Sequence, residues 1–76
     1  MVQLTPDVFG AAIRKKRERL ALSQEAFAHH CGLHRTYIGS IERGERNVTL
    51  TTLTILASAF DCSASELLRY VEGGAT

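Results

Sequence analysis

Apolar residues recur three or four positions apart along most of the chain, and no stretch sustains a strict alternation of apolar and polar residues. This spacing is typical of α-helices, because a helix returns to the same face every 3.6 residues. The pattern therefore predicts an all-α protein in which several short helices share one hydrophobic core. Residues 1–76 contain no linker, repeat or low-complexity stretch, so we expect a single domain.

Helix boundaries are predicted from residues that favour helix ends. Thr5 before Pro6, and also Ser23, Thr49 and Ser63, stand where an N-cap side chain would accept a hydrogen bond from the helix backbone. Glycines at positions 32 and 44 are suited to ending the second and third helices. The prediction is five helices, the last running from Glu66 to about Val71, with a frayed tail after it. The residues predicted to face inward are Phe9, Ile13, Leu20, Phe27, Ala28, Cys31, Ile38, Ile41, Leu53, Leu56, Ala57 and Phe60.

The charge distribution is more informative than the net charge of +1. Residues 1–46 carry eight of the nine basic residues, whereas residues 47–76 are acidic on balance. The N-terminal part can therefore face a polyanion while the C-terminal part serves another purpose. Of the bases in the first helix, Arg14, Lys15, Lys16 and Arg19 are expected to be solvated surface charges.

Metal binding and catalysis find little support in the residues. Cys31 and Cys62 belong to no CxxC pair and lie among apolar residues, so reduced, buried thiols are expected, with a disulfide as the alternative. Histidines at positions 29, 30 and 34 surround Cys31, but they do not share one helix face, so no zinc site is predicted. No nucleophile elbow, phosphate loop or paired-carboxylate motif occurs. We expect no cofactor and no enzymatic activity.

No apolar run approaches the roughly 18 residues that a membrane span requires. The first four residues are too short and uncharged for a signal peptide. The expectation is a cytoplasmic protein without membrane contact.

The strongest motif lies at residues 23–43, where two short helices flank a glycine-containing turn. Ala28 is small where the two helices must cross closely, Gly32 permits the sharp turn, and Ile38 with Ile41 would hold the second helix against the first. This is the helix-turn-helix pattern. The free side of its second helix would present Arg35, Thr36, Tyr37 and Ser40.

The three in the first turn, Arg35, Thr36 and Tyr37, are suited to contacting DNA bases. A guanidinium pairs with guanine O6 and N7, and a threonine supplies a hydroxyl and a methyl group. Residues in the first turn of a recognition helix are the ones that reach base edges in the major groove. Arg35, Thr36 and Tyr37 are therefore predicted to read bases.

The string LSQEAFAHHCGLHRTYIGSIERGERN at residues 22–47, continued by TLTTLTILASAF at 49–60, resembles the Cro/C1-type (XRE) helix-turn-helix family. The chain is most similar within it to controller proteins of restriction–modification systems, over about residues 9–70. The resemblance implies a compact, five-helix, lambda-repressor-like DNA-binding domain. It also implies that Ser40 contacts bases together with Arg35, Thr36 and Tyr37. Contacts to the DNA backbone are implied for Ser23, Gln24, Arg43, Arg46 and Asn47.

The same resemblance implies an internal ion pair between Arg17 and Glu42, which makes Arg17 a structural residue. Three positions depart from the common family pattern, one of them Asp61, which stands where a glycine is frequent before the fifth helix. His34 replaces a residue that caps helices well, so a weaker start of the third helix is expected. Gly39 lowers helix stability and would permit close approach to DNA or to the second helix.

A homodimer is predicted from the C-terminal third, about residues 50–72. Ile55, Ala59, Leu68 and Val71 look surplus to a monomer core, and exposed apolar patches on small domains usually mark interfaces.

The predicted function is that of a transcriptional regulator that binds a pseudo-palindromic operator in double-stranded DNA. A controller protein would regulate its own gene, and RNA polymerase is a further candidate partner. The alternatives are an antitoxin-type or phage-type repressor and an adaptor that uses the fold to bind protein.

Overall fold

The computed structural model describes residues 4–73, and these residues form five α-helices and no strand. The helices are α1 (Pro6–Arg19), α2 (Gln24–Cys31), α3 (Arg35–Glu42), α4 (Leu50–Ala59) and α5 (Ala64–Glu72). The predicted all-α, five-helix fold is confirmed. The predicted frayed tail includes residues 74–76, which lie outside the described part of the chain.

Side-chain caps define the helix starts, in agreement with the sequence. The hydroxyls of Thr5, Ser23, Thr49 and Ser63 each accept a hydrogen bond from the backbone N–H three residues later. Glu66 completes a capping box by accepting from the backbone N–H of Ser63, and this bond lowers the pKa of its carboxyl. The caps satisfy N–H groups that have no partner within the helix.

The C-terminal ends of the helices agree less well with the sequence-based prediction than the starts do. Gly32 takes the predicted left-handed conformation, with φ of +71°, between α2 and α3. Leu20, however, is 51% exposed, which contradicts its predicted place in the core. It is the C-cap of α1, where the chain has already left the helical path that would have carried it inward.

The core is one cluster drawn from all five helices. Its largest fully buried side chains are Phe27, Ile13, Ile38, Ile41, Leu56, Leu67 and Val71. The presence of Val71 corrects the sequence-based prediction that this residue is surplus to the monomer. It lies four residues after Leu67, so both side chains project from the same face of α5 into the core.

Helix α3 owes its position largely to a close approach of α1. A Cβ atom added at Gly10 would collide with the carbonyl oxygen of Ile41 and lie 2.9 Å from that of Glu42. Only glycine allows the two helix backbones to come so near. Gly10 was not among the residues predicted from the sequence, because its position in the helix carries no sign of a neighbouring backbone.

Cys31 and Cys62 are free thiols, and both are half-buried rather than fully buried. Burial raises the pKa of Cys31 to about 11, which favours the unreactive thiol over the thiolate. Within residues 4–73, no group of three or more His, Cys, Asp or Glu side chains is arranged to hold a metal ion. No helix among these residues is long and apolar enough to cross a membrane.

Candidate nucleic-acid interface

A nearly buried ion pair fixes the C-terminal end of α3 to α1. Arg17 donates from Nε to Glu42 Oε2 at 2.7 Å and from its Nη2 to Glu42 Oε1 at 3.0 Å. The two side chains are only 10% and 2% exposed. The hydrogen bond to Glu42 raises the pKa of Arg17 above its ordinary value, so the guanidinium stays charged. Arg17 and Glu42 therefore form the internal pair that the resemblance implied.

Gln24 joins α2 to the same carboxylate. Its side-chain amide donates from Nε2 to Glu42 Oε1 at 3.0 Å. Arg17 in addition donates from Nη1 to the carbonyl oxygen of Leu22 at 2.7 Å, in the segment that leads into α2. Three consecutive helices are thus tied to one carboxylate, and α3 is held in a fixed orientation to α1 and α2.

The first turn of α3 is free to contact a ligand. Arg35 and Thr36 are both exposed. Arg35 forms only a long ion pair with Glu25, at 3.4 Å, in which both side chains remain largely exposed. Such pairs contribute little stability, about 0–1 kcal/mol, so Arg35 can exchange this partner for another.

His34 caps α3, although the sequence suggested a weak helix start. Its Nδ1 atom accepts a hydrogen bond from the backbone N–H of Thr36 at 3.1 Å. The same nitrogen lies 2.7 Å from Thr36 Oγ1. The residue type gave little sign of this role, because histidine is not among the residues that usually cap helices.

Tyr37 is half-buried, and its hydroxyl lies 3.3 Å from that of Thr52 on α4. The guanidinium of Arg46 stacks over the Tyr37 ring, 5.3 Å from its centre. Arg46 itself is exposed, so a cation stands at this edge of α3. Thr52 was not predicted from the sequence, because it lies beyond the α3–α4 loop and becomes a neighbour of Tyr37 only when α4 packs against α3.

Ser40 does not occupy the position that was predicted for a base-reading residue. The residue is 6% exposed, and its hydroxyl donates to the carbonyl oxygen of Tyr37 at 2.8 Å. The same hydroxyl accepts from Arg46 Nε at 3.2 Å. The side chain faces back along the helix, because an interior serine bonds the preceding turn when no external partner competes. Ser40 positions Arg46 in this structure.

Arg43 lies at the end of α3 and forms two hydrogen bonds to Glu45, at 2.9 and 3.1 Å. This pairing raises the pKa of Arg43 and lowers that of Glu45. Gly39 lies next to the side chains of Arg43 and Gln24. A Cβ atom at Gly39 would be 3.0 Å from an Arg43 nitrogen and 3.5 Å from Gln24 Oε1. The absence of a side chain at Gly39 thus leaves room for two of the predicted phosphate ligands.

Ser23 and Asn47 are the remaining predicted backbone ligands, and both are exposed. The Ser23 hydroxyl already caps α2 by accepting from the backbone N–H of Ala26 at 3.0 Å. Asn47 and Arg46 both line a cavity of about 180 Å³ between the start of α1 and the α3–α4 loop.

Most of the described bases of α1 are already engaged within the protein. Arg14 pairs with Glu18 at 3.3 Å, and Arg17 is committed to Glu42. Lys16 Nζ lies 4.5 Å from the centre of the Tyr70 ring and 5.5 Å from that of Phe60. Arg14 and Lys15 nevertheless remain exposed on α1, as Arg35, Arg43 and Arg46 do on α3 and the segment after it, so outward-facing cations are present on both parts of the surface.

The residues predicted for a dimer surface separate into different places. Ile55 and Ala59 line a groove between α2 and α4 together with His30 and Cys31. Leu68 instead lines the cavity near Asn47. With Val71 in the core, only Ile55 and Ala59 share one surface.

Comparison with known proteins identifies the fold and its family. The family model described as helix-turn-helix (HTH_3) matches residues 13–67, which include all of α2, α3 and α4. The chain belongs to this helix-turn-helix family. The match contains the Arg17–Glu42 pair, the exposed first turn of α3 and Arg46.

Curated relatives in the helix-turn-helix family include control proteins. The chain is 53% identical to the control protein C.SmaI of Serratia marcescens over 62 residues, covering 82% of this chain and 74% of the relative. It is 40% identical to the control protein C.BamHI of Bacillus amyloliquefaciens, covering 88% of this chain and 84% of that one. The predicted resemblance to restriction–modification controllers is confirmed at this level.

Solved structures give the same result for the fold. The restriction–modification controller C.AhdI of Aeromonas hydrophila superimposes with a TM-score of 0.76 at 44% identity, covering 82% of this chain and 94% of that one. The controller C.Esp1396I, solved as a tetramer in complex with its natural 35 base-pair operator, superimposes with a TM-score of 0.84 at 26% identity, covering 97% of both chains.

Proposed function

We propose that the protein is a sequence-specific transcriptional regulator that binds a pseudo-palindromic operator in double-stranded DNA as a homodimer. The observation that carries the proposal is the exposed first turn of α3, with Arg35 and Thr36, on a helix whose far end is fixed by Glu42. A rigid helix with free base-reading groups at its start is suited to the major groove. No catalytic step forms part of the proposal.

Within this class, we propose a controller of a restriction–modification system that regulates its own gene. The support is the similarity to C.SmaI, C.BamHI and C.AhdI, each described as a control or controller protein. The proposed place of action is the bacterial cytoplasm, where operator DNA is found. RNA polymerase is the further partner proposed for promoters that the protein activates.

The proposed contacts divide by role. Arg35, Thr36 and Tyr37 would contact bases, whereas Gln24 and Arg43 would contact phosphates. The remaining proposed phosphate ligands are Ser23, Arg46 and Asn47. Phosphate contacts set the register of the protein on the duplex, and base contacts set its sequence preference.

Binding requires the exposed ion pairs of the free protein to open. Arg35 would leave Glu25, and Arg43 would leave Glu45. Exposed ion pairs contribute little to stability, whereas a good bidentate contact to a base is worth about 1–3 kcal/mol. For Arg35 the exchange therefore favours DNA at the correct sequence, while Glu25 and Glu45 weaken adherence to other polyanions.

A homodimer provides the second recognition helix that a palindromic operator requires. One protomer measures 33 × 24 × 22 Å and supplies a single helix α3. Two protomers side by side can therefore place two copies of α3 about 34 Å apart, which is the distance between half-sites on one face of the duplex. We propose that the groove with Ile55 and Ala59 contributes to that contact.

Alanine at position 35 tests the proposal against a matched control at position 14. Both arginines are exposed and pair loosely with a glutamate, at 3.4 Å for Arg35 and 3.3 Å for Arg14. Arg35→Ala is expected to weaken operator binding by about 1–3 kcal/mol and to relax the preference at one base pair per half-site. Arg14→Ala should change affinity far less. Titration of labelled operator by fluorescence anisotropy measures both.

Equal losses from Arg35→Ala and Arg14→Ala would contradict the assignment of α3 as the reading helix. That outcome would indicate that affinity arises from overall charge alone.

A further inference from the structure

The hydrogen bonds at the start of α3 bear on which base Thr36 can read. A threonine hydroxyl ordinarily both donates and accepts hydrogen bonds, so by itself it tolerates either kind of base edge. In this protein the Thr36 hydroxyl is constrained, because its Oγ1 atom lies 2.7 Å from His34 Nδ1. The direction of that one hydrogen bond decides what the hydroxyl offers to DNA.

The neighbouring backbone bond fixes the direction. The N–H of Thr36 donates to His34 Nδ1 at 3.1 Å, so this nitrogen presents its lone pair and carries no proton. If Nδ1 carried a proton, its N–H would face the backbone N–H of Thr36, two donors could form no hydrogen bond, and the first turn of α3 would lose its cap. Nδ1 is an acceptor whose single lone pair the backbone N–H and the Thr36 hydroxyl share, so the hydrogen between the two side chains belongs to the Thr36 hydroxyl. Thr36 Oγ1 then has only lone pairs to present outward.

We infer that His34 is a specificity-positioning residue, which makes Thr36 an acceptor-only reader of the major groove. An acceptor oxygen there matches the amino groups of adenine N6 or cytosine N4 and opposes guanine O6 and thymine O4. His34 acts through Thr36 and touches no base in this scheme. The inference rests on the proposed function, because it takes α3 as the reading helix.

The test compares five proteins: the wild type, Thr36→Val, His34→Ala, His34→Asn and the double variant that combines His34→Ala with Thr36→Val. Valine retains the shape of threonine without its hydroxyl. Asparagine retains a side-chain acceptor at the cap, whereas alanine removes it. Each protein is titrated with the wild-type half-site, chosen by selection from random DNA, and with every single-base variant. Circular dichroism of each protein verifies that the helices are intact.

The base pair read by Thr36 is the one whose discrimination falls in Thr36→Val. At that pair the wild type is expected to prefer the base with an amino group facing Thr36. His34→Ala should reduce this preference by roughly three- to tenfold, the worth of one neutral hydrogen bond. His34→Asn should retain the preference, and His34→Ala should cause no further loss in the Thr36→Val background.

Several results would overturn the inference while leaving the proposed function in place. One is a uniform loss of affinity in His34→Ala with unchanged discrimination, which would make His34 a cap only. Others are a preferred carbonyl group at the Thr36 pair, or unchanged discrimination in Thr36→Val. By contrast, a wild-type protein that binds all sequences equally would reject the proposed function and the inference together.

Discussion

At the scale of single residues, Glu42 has the greatest structural consequence. Its carboxylate accepts from two nitrogens of Arg17 and from the Gln24 amide, while its side chain is 2% exposed. A buried charge is tolerated only when its hydrogen bonds are satisfied, and here they come from α1 and α2. Helix α3, the proposed reading helix, is therefore oriented by an interaction within the protein.

Removing the carboxylate should destabilise the whole protein. Glu42→Ala leaves the guanidinium of Arg17 buried without its partner, so we expect the free energy of unfolding to fall by about 3–5 kcal/mol. Glu18→Ala is the matched control, because it breaks the exposed Arg14–Glu18 pair and should cost no more than about 0.5 kcal/mol. Urea denaturation followed by circular dichroism measures both. Similar stabilities of the two variants would contradict the structural role of the Arg17–Glu42 pair.

Residue roles could be predicted from sequence only where a local pattern carries them. Arg35 and Thr36 follow a helix-turn-helix turn, and their exposure agrees with the prediction. Ser40 also falls on a family position, yet its hydroxyl bonds Tyr37 and Arg46, and the sequence does not reveal that competition. The interaction of Tyr37 with Thr52 was equally hidden, because it depends on how α4 packs.

At the scale of helices, starts were more predictable than packing. Four N-caps follow from local chemistry, because the capping residue and its partner are three positions apart. The close crossing at Gly10 could not be predicted in this way, because it depends on carbonyl oxygens of α3 that are distant in sequence. The spacing of apolar residues shows which residues share one face of a helix. It does not show the distance to the backbone of a neighbouring helix.

Alanine substitutions at Gly10 and Gly39 distinguish two roles of glycine. Gly10 allows two helix backbones to approach, whereas Gly39 leaves room for neighbouring side chains. Gly10→Ala places a methyl group against carbonyl oxygens of α3, so we expect a loss of about 1–3 kcal/mol in the free energy of unfolding. Gly39→Ala meets only the flexible ends of Arg43 and Gln24 and favours the helix by about 0.5–1 kcal/mol. It should preserve or raise stability and lower affinity for DNA by displacing those two side chains.

Thermal unfolding and operator titration of both glycine variants check this contrast. A strongly destabilised Gly39→Ala protein, or a Gly10→Ala protein as stable as the wild type, would contradict the packing described for α3.

At the scale of the whole molecule, the surface left for a second copy is smaller than the sequence suggested. Val71 and Leu67 share the buried face of α5, and Leu68 lines a cavity beside the α3–α4 loop. Apolar spacing in α5 could not distinguish core residues from interface residues, because both produce the same pattern. Ile55 and Ala59 remain together beside α2.

A charge in this groove should prevent dimerisation if the groove forms part of the interface. Ile55→Asp is expected to shift the protein to monomer at concentrations where the wild type is dimeric, because a carboxylate is costly to bury between apolar surfaces. Leu50→Asp provides the control, since Leu50 lies on the same helix and is 81% exposed. Sedimentation equilibrium measures the association constant of each protein. An unchanged constant in Ile55→Asp would exclude the groove.

Helix α3 is proposed to read an operator as one of a symmetric pair. A footprint of the protein on the DNA upstream of its own gene, with Arg35→Ala run in parallel, tests this proposal. We expect two protected half-sites whose centres are about one helical turn apart, with protection strongly reduced for Arg35→Ala. No protection upstream, or protection no stronger than on unrelated DNA, would contradict the proposal.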